Sequence, residues 1–149
     1  MNNLLPSGAC LALVKSFETC RLVAYQDGAG VWTIGWGHTL NVQEGDTCVQ
    51  EMADMWLQIE LESAGAYVNR LVVVDLTQGQ FDALSSFCYN EGVGRLRSST
   101  LLRLVNQGRF DEAGNEFGKW VYADGQVEKG LVRRRAAERQ LFDTPAGTS

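Results

Sequence analysis

Close to its N-terminus the chain changes hydrophobic period twice within a short span. Up to Cys20, the residues Cys10, Leu11, Val14, Phe17 and Cys20 recur at spacings that fall on or near one helical face, behind Ser7 as a plausible N-cap. From Arg21 the pattern turns β-branched and aromatic, "LVAY" and then "VWTIGW", on either side of "QDGAG", which is strong turn chemistry. That reads as a β-hairpin with Asp27 at the start of the turn and Thr33 just after it, while Glu18 rides on the last turn of the helix before. Two short strands cannot bury a face alone, so the rest of the chain must supply the core.

It supplies helices. "TCVQ" at 47–50 reads as a capping box ahead of an amphipathic pattern carrying Met52, Met55, Trp56, Ile59 and Leu61, a helix to about residue 69. A second box, "TQGQ" at 77–80, opens a helix through "FDALSSFCY" that gives way to the glycine-bearing "NEGVGR". Ser98 or Ser99 caps "TLLRLVN", which stops at Gly108; "FDEAGNEFGKW" forms a shorter helix, and "LVRRRAAERQLF" after Gly130 forms the last. The expected architecture is therefore α+β within one domain, 1–149: a hairpin lobe at about 21–46 beside a helical body at about 47–143, with an N-terminal helix at about 8–19. A cleft between the lobes is the natural ligand site.

With 149 residues, 45% of them hydrophobic, the chain has material for a sizeable core. No apolar stretch approaches the roughly 20 residues of a membrane span, and "LLPSGACLALV" is interrupted by Pro6 and Gly8, so neither a signal peptide nor a membrane anchor is expected. A net charge of -5 argues against nucleic acid and against stable association with an anionic membrane, which leaves the run Arg133, Arg134, Arg135 to be explained otherwise. The four cysteines are far apart without a CxxC, and free thiols in a reducing cytoplasm are expected rather than a zinc site or a disulfide framework.

"SFE", eight residues, "DG", four residues, then "TIGWGH" resembles the phage-type lysozymes, glycoside hydrolase family 24, whose hallmark is Glu, eight residues, Asp, five residues, Thr. Glu18, Asp27 and Thr33 meet that spacing. "SFCYNEGVG", "SSTLL" and "GLVRRRAAERQLF" are similar to further stretches of the family, in the same order, so the resemblance covers most of the chain. It implies a lysozyme-like fold and a muramidase that hydrolyses, with inversion, the β-1,4 bond between N-acetylmuramic acid and N-acetylglucosamine in peptidoglycan. It also implies an endolysin that lyses the host wall, needs no metal or organic cofactor, is a monomer, and waits in the host cytoplasm until a holin opens the way to the periplasmic wall.

The residues suit those roles. Glycoside hydrolysis needs one protonated carboxyl for the leaving oxygen and one ionised carboxylate to activate water; in inverting enzymes the two stand roughly 6.5 to 9.5 Å apart. Glu18, at a helix end facing the cleft, needs partial burial to keep its proton, whereas Asp27 in an exposed turn among backbone donors stays ionised. The Thr33 hydroxyl can hold the attacking water between itself and Asp27; on its own it would read as a surface threonine in a strand. Gly35 and Gly37 are expected to let the glycan approach the cleft wall, with a simple strand end as the plainer reading. Gly37, His38, Tyr89 and Asn90 are the candidate substrate contacts. For His38, the only histidine, pairing with an acidic neighbour is favoured over direct sugar contact, and Tyr89 reads equally well as core. One of Arg133, Arg134 and Arg135 is expected to pair with Glu18, against the plainer reading of a solvated face; such a pair would favour the ionised acid and oppose the effect of burial. Two other readings stand beside these: a lytic transglycosylase, disfavoured because Asp27 and Thr33 are both present, and an inactive wall-binding module.

Overall fold

The computed structural model describes residues 1–147; positions 148 and 149 of the expected domain lie outside the described residues. Helix α1 spans Gly8–Phe17, opened by Ser7, whose hydroxyl accepts from the Cys10 amide at 3.4 Å while its own amide donates to Asp82 Oδ1 at 3.1 Å. That second bond pins the helix start to the body of the molecule. Glu18 sits one residue past the helix, as its C-cap, with extended backbone (φ −99°, ψ 149°) rather than on its last turn.

The expected hairpin forms from β1 (Arg21–Gln26) and β2 (Trp32–Gly35), antiparallel, with Tyr25 opposite Thr33 and a bulge towards Arg21. Gly30 closes the turn at φ +81°, a left-handed conformation that a residue with a Cβ adopts at a cost. The free edge of β1 is covered as well: the Ala24 amide donates to Asp46 O at 2.8 Å and the Cys48 amide to Leu22 O at 2.9 Å. This pairing explains why the capping box expected at 47–50 does not form. Thr47 is drawn into a bridge with Val23, so helix α2 (Gln50–Leu71) starts later, with Val49 at its N-cap and no side-chain cap. Tertiary pairing has overridden a local signal.

The second box does form: the Thr77 hydroxyl accepts from the Gln80 amide, and the Gln80 side chain accepts from the Thr77 amide, opening α3 (Gln78–Glu91). Every residue from Phe81 to Cys88 is buried, so α3 is the central rod of the body, packed on all sides as such a helix must be. Around it lie α4 (Val93–Arg97), α5 (Thr100–Asn106, capped by Ser99), α6 (Phe110–Glu116), a 3-10 turn at Phe117–Lys119 and α7 (Lys129–Phe142). Two elements escaped the sequence reading. "GVGRLR" is helical rather than loop, and "YADGQV" makes a second hairpin from β3 (Tyr122–Ala123) and β4 (Gln126–Val127). Its Asp124 and Gly125 both have positive φ, 51° and 77°, as a two-residue primed turn requires. The Asp-Gly signal was present, but two-residue strands leave no alternation to detect.

Two apolar clusters result. The larger surrounds Phe81, Leu84, Phe87, Leu101 and Phe117 in the body, with Phe87 edge-on to Phe117 at 6.0 Å between centroids; the smaller joins Cys10 and Val14 of α1 to Leu57 and Leu61 of α2. Tyr89 packs against both. All four cysteines are free, Cys10 and Cys88 buried and Cys20 and Cys48 half-buried, as expected.

Candidate active site

Where α1 ends, α3 ends and α7 begins, an open cavity of about 290 Å³ is lined by Phe17, Glu18, Asn90, Glu128, Arg133 and Arg134, among others. Glu18 is brought there by its position just beyond α1, with its side chain about a quarter exposed. Its Oε1 accepts from Arg134 Nη1 at 2.9 Å, across 116 positions of sequence. Arg134, 3% exposed, is therefore the arginine that faces the acid. Arg133 is exposed and Arg135 is only 1% exposed, so the solvated-face reading of the run fails for two of its three members.

Asp27 is built by purely local means. Its Oδ1 accepts from the Ala29 amide at 2.8 Å and the Val31 amide at 2.9 Å, an arrangement typical of aspartate in a turn. Thr33 is buried to 4% exposure and donates from its hydroxyl to the Val31 carbonyl at 2.9 Å. The two side chains thus hang on opposite sides of one residue's backbone, with Asp27 on the Val31 amide and Thr33 on its carbonyl. Thr33 is no surface residue, and its single proton is spent on Val31, so anything else it binds must donate to it.

The remaining candidates divide. Gly37, at φ +119°, turns the chain between Ile34 and His38, and a Cβ there would lie 3.7 Å from the Tyr89 hydroxyl; it faces the other lobe. At Gly35 the close neighbour is not open cleft but helix α2, with Ala53 Cβ only 3.2 Å from where a Cβ would stand, so this glycine admits a helix. His38 stacks on Trp56 at 4.3 Å and places Nδ1 2.5 Å from Glu60 Oε1, the acidic partner that was expected without being named. Tyr89 is half-buried, and burial pushes its phenol upwards, reinforced by Glu18 and Glu60, so the ring stays neutral between the two lobes. Asn90 is exposed beside Glu18, and its Oδ1 accepts from Arg135 Nη2 at 2.6 Å.

Sequence reading missed the group behind this surface. Glu138 is fully buried beneath Arg134 and Arg135, and Ser86 of α3 donates to its Oε2 at 2.6 Å. The one available signal was "RRRAAE", which puts Glu138 four positions after Arg134 and three after Arg135, the spacings that meet on a helix. Among the described residues no group of three or more His, Cys, Asp or Glu is arranged to hold a metal ion, and no helix is long and apolar enough to cross a membrane.

Comparison with known proteins identifies the family and the fold. Residues 15–138 match the phage lysozyme family model, which takes in Glu18, Asp27 and Thr33 together with the arginine run. The chain is 41% identical over 138 residues to an endolysin of Acyrthosiphon pisum secondary endosymbiont phage 1, covering 90% of this chain and 94% of that protein. It is 45% identical over 141 residues to an endolysin of Bacillus phage B103, covering 93% of this chain but only 54% of the relative, so it spans about half the length of that longer protein. Among solved structures, the muramidase domain of SpmX from Asticaccaulis excentricus superposes with a TM-score of 0.90 at 44% identity, over 96% of this chain and all of that one. The fold is lysozyme-like, and the chain belongs to the phage lysozyme family, glycoside hydrolase family 24, as a hydrolase of the lysozyme class.

Proposed function

We propose that this chain hydrolyses the β-1,4 bond between N-acetylmuramic acid and N-acetylglucosamine in peptidoglycan, with inversion at the anomeric carbon, and that residues 1–149 form one catalytic domain. Glu18 gives its proton to the leaving oxygen. Its Oε1 is tied to Arg134, which leaves Oε2 to carry the transferable proton. The Arg134 guanidinium orients the carboxyl at the cavity, from which a bound glycan expels water. Asp27, with Oδ1 occupied by two backbone amides, presents Oδ2 to a water that also donates to Thr33, and that water attacks from the face opposite the leaving group. Gly37, Tyr89 and Asn90 border the glycan path, whereas His38 braces the lobe through Glu60. In this reading the protein is a monomeric endolysin that lyses the host wall, held in the cytoplasm until a holin grants access.

The observation that carries the proposal is the difference in surroundings of the two acids, one gripped by a buried guanidinium at a cavity and one set among backbone donors on an exposed turn. Clearing of permeabilised bacteria by Glu18→Gln tests it: clearance should be all but lost, and clearance equal to the parent's would remove Glu18 as the acid. Mass spectrometry of the digest should find reducing muramic ends. Anhydromuramic ends would mean a transglycosylase instead.

A further inference from the structure

We infer that Glu138 is a positioning residue that couples the acid to the substrate-binding amide, by holding Arg134 against Glu18 with one oxygen's contacts and Arg135 against Asn90 with the same carboxylate. The inference rests on the muramidase reading of Glu18. The geometry is a fork with its stem inside the protein. Glu138, 0% exposed, accepts at Oε2 from Ser86 Oγ at 2.6 Å, Arg134 Nε at 3.4 Å and Arg135 Nη2 at 3.2 Å. Its Oε1 stands 2.7 Å from Arg135 Nε as an ion pair without hydrogen-bond alignment. From that stem one guanidinium reaches Glu18 at 2.9 Å and the other reaches Asn90 at 2.6 Å, and both end residues line the same cavity. Ser86 also accepts from Arg134 Nη2 at 3.4 Å, so of the two arms the hydroxyl directly touches only the acid's.

A mere structural ion pair has no need of this branching. Burial makes charge costly for both partners, pushing the Glu138 carboxyl up and the Arg135 guanidinium down, yet the contacts converging on Oε2 are all donors, which is the surrounding of a carboxylate. With Glu138 charged, part of the Arg134 charge is already compensated before it meets Glu18. The guanidinium is consequently shared between two carboxylates, and its place against Glu18 depends on both. Other charged groups near Glu18 are Arg133 and Glu128, which line the same cavity from the start of α7, while Tyr89 from α3 is neutral. Glu138 faces Arg134 and Arg135 on its own helix, Ser86 on α3 and the Cys10 thiol on α1, which burial keeps protonated; Asp82 of α3 also acts on that thiol, and Glu91 completes the set through Arg135 Nη1 at 3.4 Å.

The test is the split between kcat and KM on soluble peptidoglycan fragments for the parent, Glu138→Gln and Ser86→Ala, each first checked for cooperative melting. Glu138→Gln should lower kcat about tenfold through misplacement of the acid. KM should rise as well, because Asn90 loses its anchor. Ser86→Ala leaves the Glu138 carboxylate in place and directly touches only the Arg134 arm, so it should lower kcat by a smaller factor, with KM changing less than kcat. If Glu138→Gln does not melt cooperatively, Ser86→Ala decides alone. A folded variant that keeps the parental kcat and KM overturns the inference, as does Ser86→Ala changing KM alone. Glu18→Gln on the same substrate separates the layers: parental turnover there defeats the muramidase reading, whereas loss of turnover with parental kcat and KM in Glu138→Gln defeats only the coupling.

Discussion

The two acids of this site are held by opposite means. Asp27 is fixed by residues within four positions of it, on a hairpin whose first strand and turn are largely exposed. Glu18 is fixed by Arg134, 116 positions away, and behind it by a fully buried carboxylate. In the proposed roles, a carboxylate that activates water needs only backbone amides and water around it, which a turn provides. A proton donor must be held in one orientation at the cavity, and the packed interior behind Arg134 supplies that hold.

The sharpest way to break this comparison is at the acids themselves. Glu18→Gln should cost on the order of 10² to 10⁴ in turnover, the usual contribution of a positioned general acid. Asp27→Asn should cost a comparable factor while leaving the melting temperature near the parent's, because an amide oxygen can still accept from Ala29 and Val31. A large drop in melting temperature for Asp27→Asn would show that the turn depends on the charge and not just on an acceptor. Next in size is the body that positions Arg134: Phe87→Ala, at a fully buried ring between α3 and the 3-10 turn, should lower unfolding free energy by about 3 to 5 kcal/mol in denaturant titration. The smallest effects separate the two boxes. Thr77→Ala removes a formed cap and should cost about 1 kcal/mol, whereas Thr47→Ala, exposed and capping nothing, should stay within about 0.5 kcal/mol of the parent. Equal costs at the two threonines would mean that α2 is capped in solution after all.

Much of the fold was legible for local reasons. Ser7, Ser99 and the Thr77–Gln80 box announced three helix starts because capping is a matter of neighbouring backbone groups. "QDGAG" announced the hairpin because turn conformations depend on the residues within the turn. "TCVQ" misled for the complementary reason: a strand edge supplied by residues 22–24 claimed Thr47 first, and that competitor lay outside the local window. The same limit explains Gly35, whose lack of a side chain serves helix α2 rather than a ligand, and His38, whose acidic partner Glu60 lies on another element.

By itself, the sequence determined the order of the longer elements, the spacing of Glu18, Asp27 and Thr33, and nearly all of the surroundings of Asp27, since each depends on contacts that the chain makes over a few residues. Tertiary structure alone decided which arginine meets Glu18, that Arg135 turns to Asn90, and that one buried carboxylate stands behind both. Three consecutive arginines on a helix point in three directions about 100° apart, and their roles are set by what packs around the helix, which no local pattern encodes.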